Sequence, residues 1–178
     1  MLSHWKWLCS LSVFVTWLVG VDCGRGLAEI HPQQLDCGVY YGAAPDGEAD
    51  MQKLRQLGVQ HIIDLRSFQS RRIAKEQQLA KKYGMIYQGC EVGFRPHYPE
   101  ANVEAVMASL RCKAHGTIYV HCTLGRDRTG LIVALYRQRY LGWPADNAYQ
   151  QKKHDEFNGL LVHYDRYFWS SVRRSPSH

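Results

Sequence analysis

The chain alternates short apolar segments with amphipathic ones, and this alternation restricts its fold more than any other feature. Segments typical of buried strands cover residues 39–42, 61–66, 85–88 and 117–121. Helical periodicity covers residues 49–57, 71–83, 101–111 and 129–140, then a helix opened by 143–144 and another at about 156–171. Strands separated by helices predict an α/β fold, a parallel sheet with helices on both faces.

Length and composition exclude several classes of protein. The 178 residues allow one domain with a closed core, and 46% hydrophobic, 12% aromatic and 21% charged residues are typical of a globular protein. Disordered, collagenous and disulfide-scaffold proteins are therefore excluded, as is a multi-pass membrane protein. The formal net charge of +6 favours anionic partners without choosing among phosphate esters, acidic lipids and nucleic acid.

The first 28 residues have the pattern of an export signal. A basic start is followed by the apolar run 7–21, and cleavage after Ala28 would leave residues 29–178 as one domain. An uncleaved membrane anchor is the alternative, although 15 apolar residues fall short of the number that a bilayer requires. A lipoprotein anchored on Cys23 is disfavoured by the preceding Asp22. We expect an exported protein, periplasmic or secreted, with membrane anchoring left open.

Residues 121–130, His-Cys-Thr-Leu-Gly-Arg-Asp-Arg-Thr-Gly, join the last predicted strand to a helix. A strand that turns through glycine into a helix N-terminus directs successive backbone N–H groups and the positive end of the helix dipole into one concavity. That concavity suits a phosphoryl group. We therefore expect the loop to bind substrate through Thr123, Leu124, Gly125 and Arg126.

The side chains of this segment predict nucleophilic chemistry. The helix dipole, the loop N–H groups and Arg128 all favour the thiolate of Cys122. Arg128 offers a planar set of donors that matches two phosphate oxygens. The Thr129 hydroxyl can donate to the sulfur as it leaves the phosphorus, and His121 is expected to be buried and to hold the loop in shape.

These residues resemble a known signature. His121, Cys122, Gly125, Arg128 and Thr129 match H-C-x-x-G-x-x-R-[S/T] of the cysteine-dependent protein tyrosine and dual-specificity phosphatases, and the order of elements over about 38–170 resembles a compact dual-specificity domain. The resemblance implies a two-step reaction through a phosphocysteine, with no metal or organic cofactor. Rhodanese-type sulfurtransferases are the nearest chemical alternative, but their loop is shorter.

The general acid of such an enzyme is not evident. No aspartate lies between Asp64 and Asp127, and Asp64, in a buried-type strand, more readily has a structural role. The loop 91–100 offers Glu91, His97 and Glu100. Glu100 has the position of a helix N-terminal residue that complements the helix dipole.

Asp127 is the remaining candidate. The segment Gly125-Arg126-Asp127-Arg128-Thr129 resembles the loop of secreted bacterial phosphatases acting on phosphotyrosine and phosphoinositides, and its Asp-Arg pair resembles that of the myotubularins. The resemblance implies that Asp127 is the proton donor and that Arg126 is a second cation for an acidic or multiply phosphorylated substrate. A loop-bracing ion pair with a neighbouring arginine is an equal alternative for Asp127.

Two functions remain open at this point. The first is a phosphomonoester hydrolase acting on phosphorylated proteins or on phosphoinositides and inositol phosphates; the second is a catalytically weak phosphate-binding pseudophosphatase. The basic segment containing Arg71, Arg72, Lys75, Lys81 and Lys82 is more typical of a solvated helix face than of contact with an anionic membrane surface. No motif indicates nucleic-acid binding, and the oligomeric state is undetermined.

Four cysteines lie outside the predicted signal: Cys37, Cys90, Cys112 and Cys122. A nucleophilic Cys122 must stay reduced, which leaves Cys37, Cys90 and Cys112. In an exported protein at most one structural disulfide can then form among these three, with one thiol remaining to protect Cys122 through a reversible disulfide.

Overall fold

The structure, a computed structural model, describes residues 30–67, 70–93, 100–154 and 162–174. Its strands are β1 (Gln33–Asp36), β2 (Val39–Gly42), β3 (Val59–Asp64), β4 (Ile86–Gly89) and β5 (Thr117–His121). Its helices are α1 (Glu48–Gln56), α2 (Ser70–Lys82), α3 (Glu100–Cys112), α4 (Asp127–Tyr140), α5 (Ala145–His154) and α6 (Val162–Arg174). The predicted signal 1–28, residue His97 and the start of the predicted last helix lie outside the described residues.

A five-stranded sheet in the order β1-β2-β5-β3-β4 forms the centre of the molecule. The strands β2, β5, β3 and β4 run parallel, which confirms the predicted α/β fold. The edge strand β1 was not predicted, and it runs antiparallel to β2. Its residues, Gln33–Asp36, are mostly polar and only partly covered, so the apolar pattern by which buried strands are identified is missing there.

Helices cover both faces of the sheet, each with its own apolar cluster. On one face α1 and α2 pack on the sheet through Met51, Leu54, Ile62, Ala80 and Tyr119. On the other face α3 to α6 enclose a larger core that includes Val106, Leu110, Leu131, Leu135 and Phe168. Among the described residues, no helix has the length and apolar character needed to cross a bilayer.

The predicted element boundaries hold closely in the parallel part of the sheet. Both β2 and β5 have the predicted limits, whereas α4 begins at Asp127, two residues before the predicted start. The tail was predicted to fray from Arg173, but α6 continues to Arg174. At this end of the helix Arg174 Nη1 lies 2.7 Å from Oε1 of Glu100, an ion pair between half-exposed side chains.

Strand register places the ends of neighbouring strands in one row. Gly42 on β2 lies opposite His121 on β5, His121 lies opposite Asp64 on β3, and Asp64 lies opposite Gly89 on β4. Since these strands are parallel, the segments that follow them emerge at the same edge of the sheet. The candidate site is built there, at the carboxyl end of the sheet.

Candidate active site

The loop between β5 and α4 is held against the segment that follows β2. Gly125 has a φ of +73°, and a Cβ atom on it would lie 2.4 Å from the carbonyl carbon of Gly42, so only glycine fits. The Ala44 amide donates to the Thr123 carbonyl at 3.2 Å. The Tyr119 hydroxyl in turn donates to the Ala43 carbonyl at 2.6 Å. The sequence analysis did not identify residues 42–44 as support for the loop. Their small side chains were the only feature that could have indicated a close contact.

Cys122 lies at the base of this loop and is only 4% exposed. Burial by itself raises the pKa of its thiol. The Thr129 hydroxyl and backbone N–H, the Arg128 charge and the Gly125 N–H together outweigh burial, and the pKa of Cys122 lies below its usual value. The loop therefore stabilises the thiolate, the form that attacks an electrophile.

Arg128 and Thr129 are both buried beneath the loop, in the first turn of α4. Arg128 Nη1 donates to the Leu65 carbonyl at 3.2 Å, and the Leu65 amide donates to the His121 carbonyl at 2.9 Å. The guanidinium is thus fixed relative to the strand that carries the cysteine. Among the described residues the Thr129 hydroxyl makes no hydrogen bond of standard geometry, yet it has the largest of the effects that lower the pKa of the Cys122 thiol.

His121 is fully buried directly before the cysteine. Its Nδ1 lies 3.0 Å from the Cys122 carbonyl oxygen, and its Nε2 lies 2.8 Å from Oε1 of Glu76, without hydrogen-bond alignment. Burial alone would lower the pKa of His121, but the negative charges of Glu76 and Asp64 raise it. His121 therefore links the backbone of the loop to a buried charged cluster.

That cluster contains Asp64, Arg66, Glu76 and His121, and we call it the ionic cluster. The Arg66 guanidinium donates two hydrogen bonds to Asp64, from Nε at 2.8 Å and from Nη2 at 2.7 Å, and a third to Glu76. Burial raises the pKa of the neighbouring Tyr87, whose hydroxyl donates to Asp64 at 2.5 Å. The structural role predicted for Asp64 agrees with this position, whereas Arg66 and Glu76 were not identified from sequence.

The ionic cluster also has the residue types of a metal site. Ligand atoms of Asp64, Glu76 and His121 lie within 4.8 Å of one another. The Arg66 guanidinium contacts both carboxylates, so it already supplies the positive charge that a cation would bring. These residues are therefore better described as a buried ion-pair network than as a site for a metal.

Asp127 is the first residue of α4 and is partly exposed beside the loop. Its charge acts on Lys152 of α5 and on His163 of α6. Lys152 is buried, and its Nζ lies 2.6 Å from Oδ1 of Asp165. Burial lowers the pKa of both Lys152 and His163, against the effect of the carboxylates.

The other acid candidates lie differently. Glu91 is exposed. Glu100 is the first residue of α3, as predicted, and it pairs with Arg174. His97 falls outside the described residues.

A cleft of about 650 Å³ opens beside the loop. Residues 123–126 form one wall, and Arg72 and Lys75 of α2 lie on the other side. Lys75 Nζ donates to the Asp46 carbonyl at 2.5 Å and lies 3.3 Å from its carboxylate. Arg126 and Leu124 are exposed at the edge of the loop, Leu124 by 62%. Asp46, Asp50 and Glu76 also line the cleft, so it presents both basic and acidic side chains, with Arg126 on the side of the loop.

Cys37, Cys90, Cys112 and Cys122 are all free thiols in the structure, which agrees with the expectation of at most one disulfide among the first three. Cys37 and Cys112 are exposed, while Cys90 is buried and its sulfur lies 3.5 Å from the Asn102 carbonyl. Burial raises the pKa of the Cys90 thiol, so this residue is chemically unlike Cys122.

Comparison with known proteins identifies the family. The sequence model described as the tyrosine phosphatase family matches residues 43–150. This range contains the loop, the ionic cluster and residues 43 and 44, which support the loop. No curated protein sequence matches the chain.

Solved structures show the same fold at low identity. A putative phosphatase from Shewanella putrefaciens is 20% identical over 83% of this chain and 93% of its own, with a TM-score of 0.68. The core catalytic domain of the PP-IP phosphatase Siw14 from S. cerevisiae is 15% identical over 84% of this chain and 93% of its own, with a TM-score of 0.64. TpbA of P. aeruginosa is 18% identical over 82% of this chain and 92% of its own, also with a TM-score of 0.64. From the family match and this shared fold, the chain belongs to the tyrosine phosphatase family and is a cysteine-dependent phosphatase.

Proposed function

We propose that the chain hydrolyses phosphomonoesters through a phosphocysteine intermediate on Cys122. The observation that carries this proposal is the lowered pKa of a buried thiol, held by the N–H groups of a phosphate-sized loop beside a fixed arginine. In this proposal the N–H groups of residues 123–128 and the Arg128 guanidinium bind the phosphoryl oxygens. Residues 42–44 already support the loop, and the Leu65 carbonyl holds the Arg128 guanidinium.

The reaction has two steps in this proposal. The Cys122 thiolate attacks phosphorus and forms an S–P bond while the ester P–O bond breaks, and Asp127 gives its proton to the departing oxygen. Water then attacks phosphorus, the Asp127 carboxylate accepts a proton from that water, and the S–P bond breaks. The Thr129 hydroxyl donates to the departing thiolate, and His121 positions the loop through the Cys122 carbonyl.

The proposed substrates carry a phosphoryl group on an anionic or aromatic body. The cleft beside the loop offers Arg126 and Arg72 to a second negative charge, while Lys75 is paired with Asp46. The exposed Leu124 offers an apolar contact at its mouth. Among the structural relatives, a cysteine-to-serine variant of TpbA was solved with pTyr, and Siw14 is described as a PP-IP phosphatase. We therefore propose phosphotyrosine proteins or inositol phosphate head groups as substrates.

Phosphate release from a panel of substrates tests this proposal. The panel contains a generic aryl phosphate, phosphotyrosine peptides, phosphoserine and phosphothreonine peptides, and phosphoinositides. We expect turnover that Cys122→Ser abolishes and that Cys37→Ser, the change of an exposed thiol elsewhere, leaves intact. Arg126→Ala should raise KM for the doubly charged substrates more than for the aryl phosphate. Absence of turnover on every phosphoester, with retained binding of vanadate, would instead support the pseudophosphatase alternative.

The role of Asp127 has its own test in the variant Asp127→Asn. We expect kcat to fall by at least about a hundredfold on alkyl phosphates and less on p-nitrophenyl phosphate, whose leaving group needs no proton. The basic limb of the pH–rate profile should also disappear. A near wild-type rate with an intact basic limb would show that Asp127 only braces the loop.

We also propose that the enzyme is exported, on the basis of the basic and apolar residues 1–28. N-terminal sequencing of the protein recovered outside the cytoplasm should begin at Glu29. An intact N-terminus in the membrane fraction would support the anchor alternative, and an intact N-terminus in the cytoplasm would contradict export.

A further inference from the structure

A second cluster of ligand-type side chains lies away from the phosphate loop. A cavity of about 270 Å³ between β3, β4 and the end of α3 is lined by His61, Gln88, Cys112 and His115, among others. His61 lies opposite Ile118 on β5, three residues before His121, so the cavity is towards the other end of the sheet. The proposed phosphatase chemistry uses none of these three side chains.

His61 is the fixed member of this cluster. It is only 2% exposed, and among the described residues its Nε2 has no hydrogen-bond partner. Burial and the neighbouring His115 lower its pKa, against a hydrogen bond with the Gln88 side chain that raises it. His61 is therefore a neutral imidazole near neutral pH, and a buried nitrogen without a partner is unfavourable unless a ligand completes its coordination.

His115 lies next to His61 with a geometry that suits a shared metal ion. The two ring centroids are 5.4 Å apart and the ring planes are nearly perpendicular, at 89°. With zinc–nitrogen bonds of about 2.0–2.1 Å, two imidazoles on one tetrahedral ion have centroids about 5 Å apart. The observed separation is therefore close to that of two imidazoles on one ion, and coordination requires that a nitrogen of each ring turn towards a common point.

A tight turn brings Cys112 and His115 to the same cavity. Cys112 is the last residue of α3, Lys113 follows with a φ of +50°, and the Gly116 amide donates to the Lys113 carbonyl at 2.9 Å. The ligand atoms of His61, Cys112 and His115 do not all lie within 4.8 Å of one another. Both Cys112 and His115 are exposed at the surface, so their side chains are free to change rotamer, and coordination requires a rotation that turns the sulfur and the second nitrogen towards Nε2 of His61.

We propose that His61, Cys112 and His115 bind one borderline-soft divalent metal ion, of which Zn²⁺ is the best fit, with water as the fourth ligand. Nitrogen and thiolate ligands select zinc over calcium or magnesium, which prefer oxygen. Binding releases the Cys112 proton to solvent and joins β3 to the turn after α3. The site is independent of the proposed function, because it shares no residue with the phosphate loop or the ionic cluster.

Zinc titration of the full chain under a non-thiol reductant tests the proposal. All samples, including the reference protein, carry Cys122→Ser, so that the nucleophilic thiol cannot bind zinc. Cys9 and Cys23 are present in every sample, so they do not affect the comparison. We expect one tight equivalent by calorimetry or by competition with a metal-binding dye. Cys112→Ser and His115→Gln should each weaken binding by at least about tenfold. The matched controls Cys37→Ser and His31→Gln change exposed residues elsewhere and should leave the affinity unchanged.

Cobalt substitution provides a second measurement that does not depend on affinity. Co²⁺ in the site should show the visible bands of tetrahedral coordination and a sulfur-to-cobalt charge-transfer band in the near ultraviolet. Cys112→Ser should remove the charge-transfer band, while His61→Gln and His115→Gln should change the visible bands. Tight zinc binding that survives both Cys112→Ser and His115→Gln would overturn the proposal, as would an equal loss of affinity in Cys37→Ser.

Discussion

Two histidines are buried in adjacent strands of the same sheet, and their surroundings are opposite. His121 on β5 lies beside the carboxylates of Glu76 and Asp64, which raise its pKa despite complete burial. His61 on β3 lies beside a second histidine, and both burial and that neighbour lower its pKa. Burial is thus common to both residues, and the charge of the neighbours decides which form of the imidazole the fold favours.

This difference separates the two ends of the sheet by function. At the carboxyl end, charge is concentrated: the ionic cluster supports the loop through the Cys122 carbonyl, and the loop stabilises a thiolate. Towards the other end, the buried imidazole is neutral and offers a lone pair. The first arrangement suits binding and transfer of an anion, and the second suits coordination of a soft cation.

The largest expected difference between the two ends is in stability. Glu76→Ala removes a carboxylate from a buried ionic cluster and leaves Arg66 and His121 under-compensated, so we expect it to lower the free energy of unfolding by about 3–5 kcal/mol. His61→Leu removes an uncharged ring whose Nε2 has no partner and which has one hydrogen bond with Gln88, so we expect a smaller loss, of about 1–2 kcal/mol. Urea denaturation at pH 7 in EDTA measures both, and losses of equal size would refute the contrast.

The second expected effect concerns the thiols of the two ends, Cys122 and Cys112. Thr129→Val removes the hydroxyl that lowers the pKa of Cys122, and a hydrogen bond to a charged group is worth about 1.5–3 kcal/mol, so the pH midpoint of Cys122 alkylation should rise by at least about one unit. The rate at Cys112, read in the same samples by peptide mass spectrometry, should not change. If the Cys122 midpoint stays where it is in the wild type, Thr129 does not stabilise the thiolate.

The smallest expected effect is the pH dependence of stability, which should have opposite signs for the two histidines. His121 has a raised folded-state pKa, so its contribution is fully present below the unfolded value, near 6.5, and is lost as pH rises through the folded pKa. His61 has a lowered folded-state pKa. Its neutral form therefore contributes fully above the unfolded value, and that contribution is lost as pH falls through the folded pKa.

Unfolding free energies between pH 5 and pH 8 in EDTA measure these two slopes. Each unit of difference between the pKa of a histidine in the folded chain and its pKa in the unfolded chain changes the free energy of unfolding by about 1.4 kcal/mol. Relative to the wild type, His121→Gln should make stability rise more steeply with pH, and His61→Gln should make it rise less steeply. Variants that change the slope in the same direction would show that the neighbours of the two histidines do not control their charge.

The sequence predicts the parallel strands and the phosphate loop because both leave local signals. The apolar run Thr117–His121 identifies β5 with its correct limits, and the spacing from Cys122 to Arg128 identifies the loop. The edge strand β1 is missed because it is polar and is stabilised by partners such as Tyr41, whose hydroxyl donates to Gln33 at 2.5 Å. A strand paired on one side needs no apolar pattern.

The ionic cluster is missed for a different reason. Arg66 and Glu76 are ten residues apart, in a connection after a strand and in a helix that otherwise carries exposed basic residues. In the sequence, charged residues at these positions indicate solvent exposure. Only the folded structure shows Glu76 beside the buried His121, which in turn contacts the loop. A charged pair directly after an apolar strand, here Asp64 and Arg66, is the signal that could have indicated a buried network.

Trapping of the phosphorylated intermediate tests the central claim most directly. Rapid acid quench of the enzyme with labelled aryl phosphate, followed by peptide mass spectrometry, should place the phosphoryl group on the sulfur of Cys122. The label should be present in Cys112→Ser and absent in Cys122→Ser. Turnover without any labelled cysteine, or a label on another residue, would contradict the assignment of Cys122 as the nucleophile.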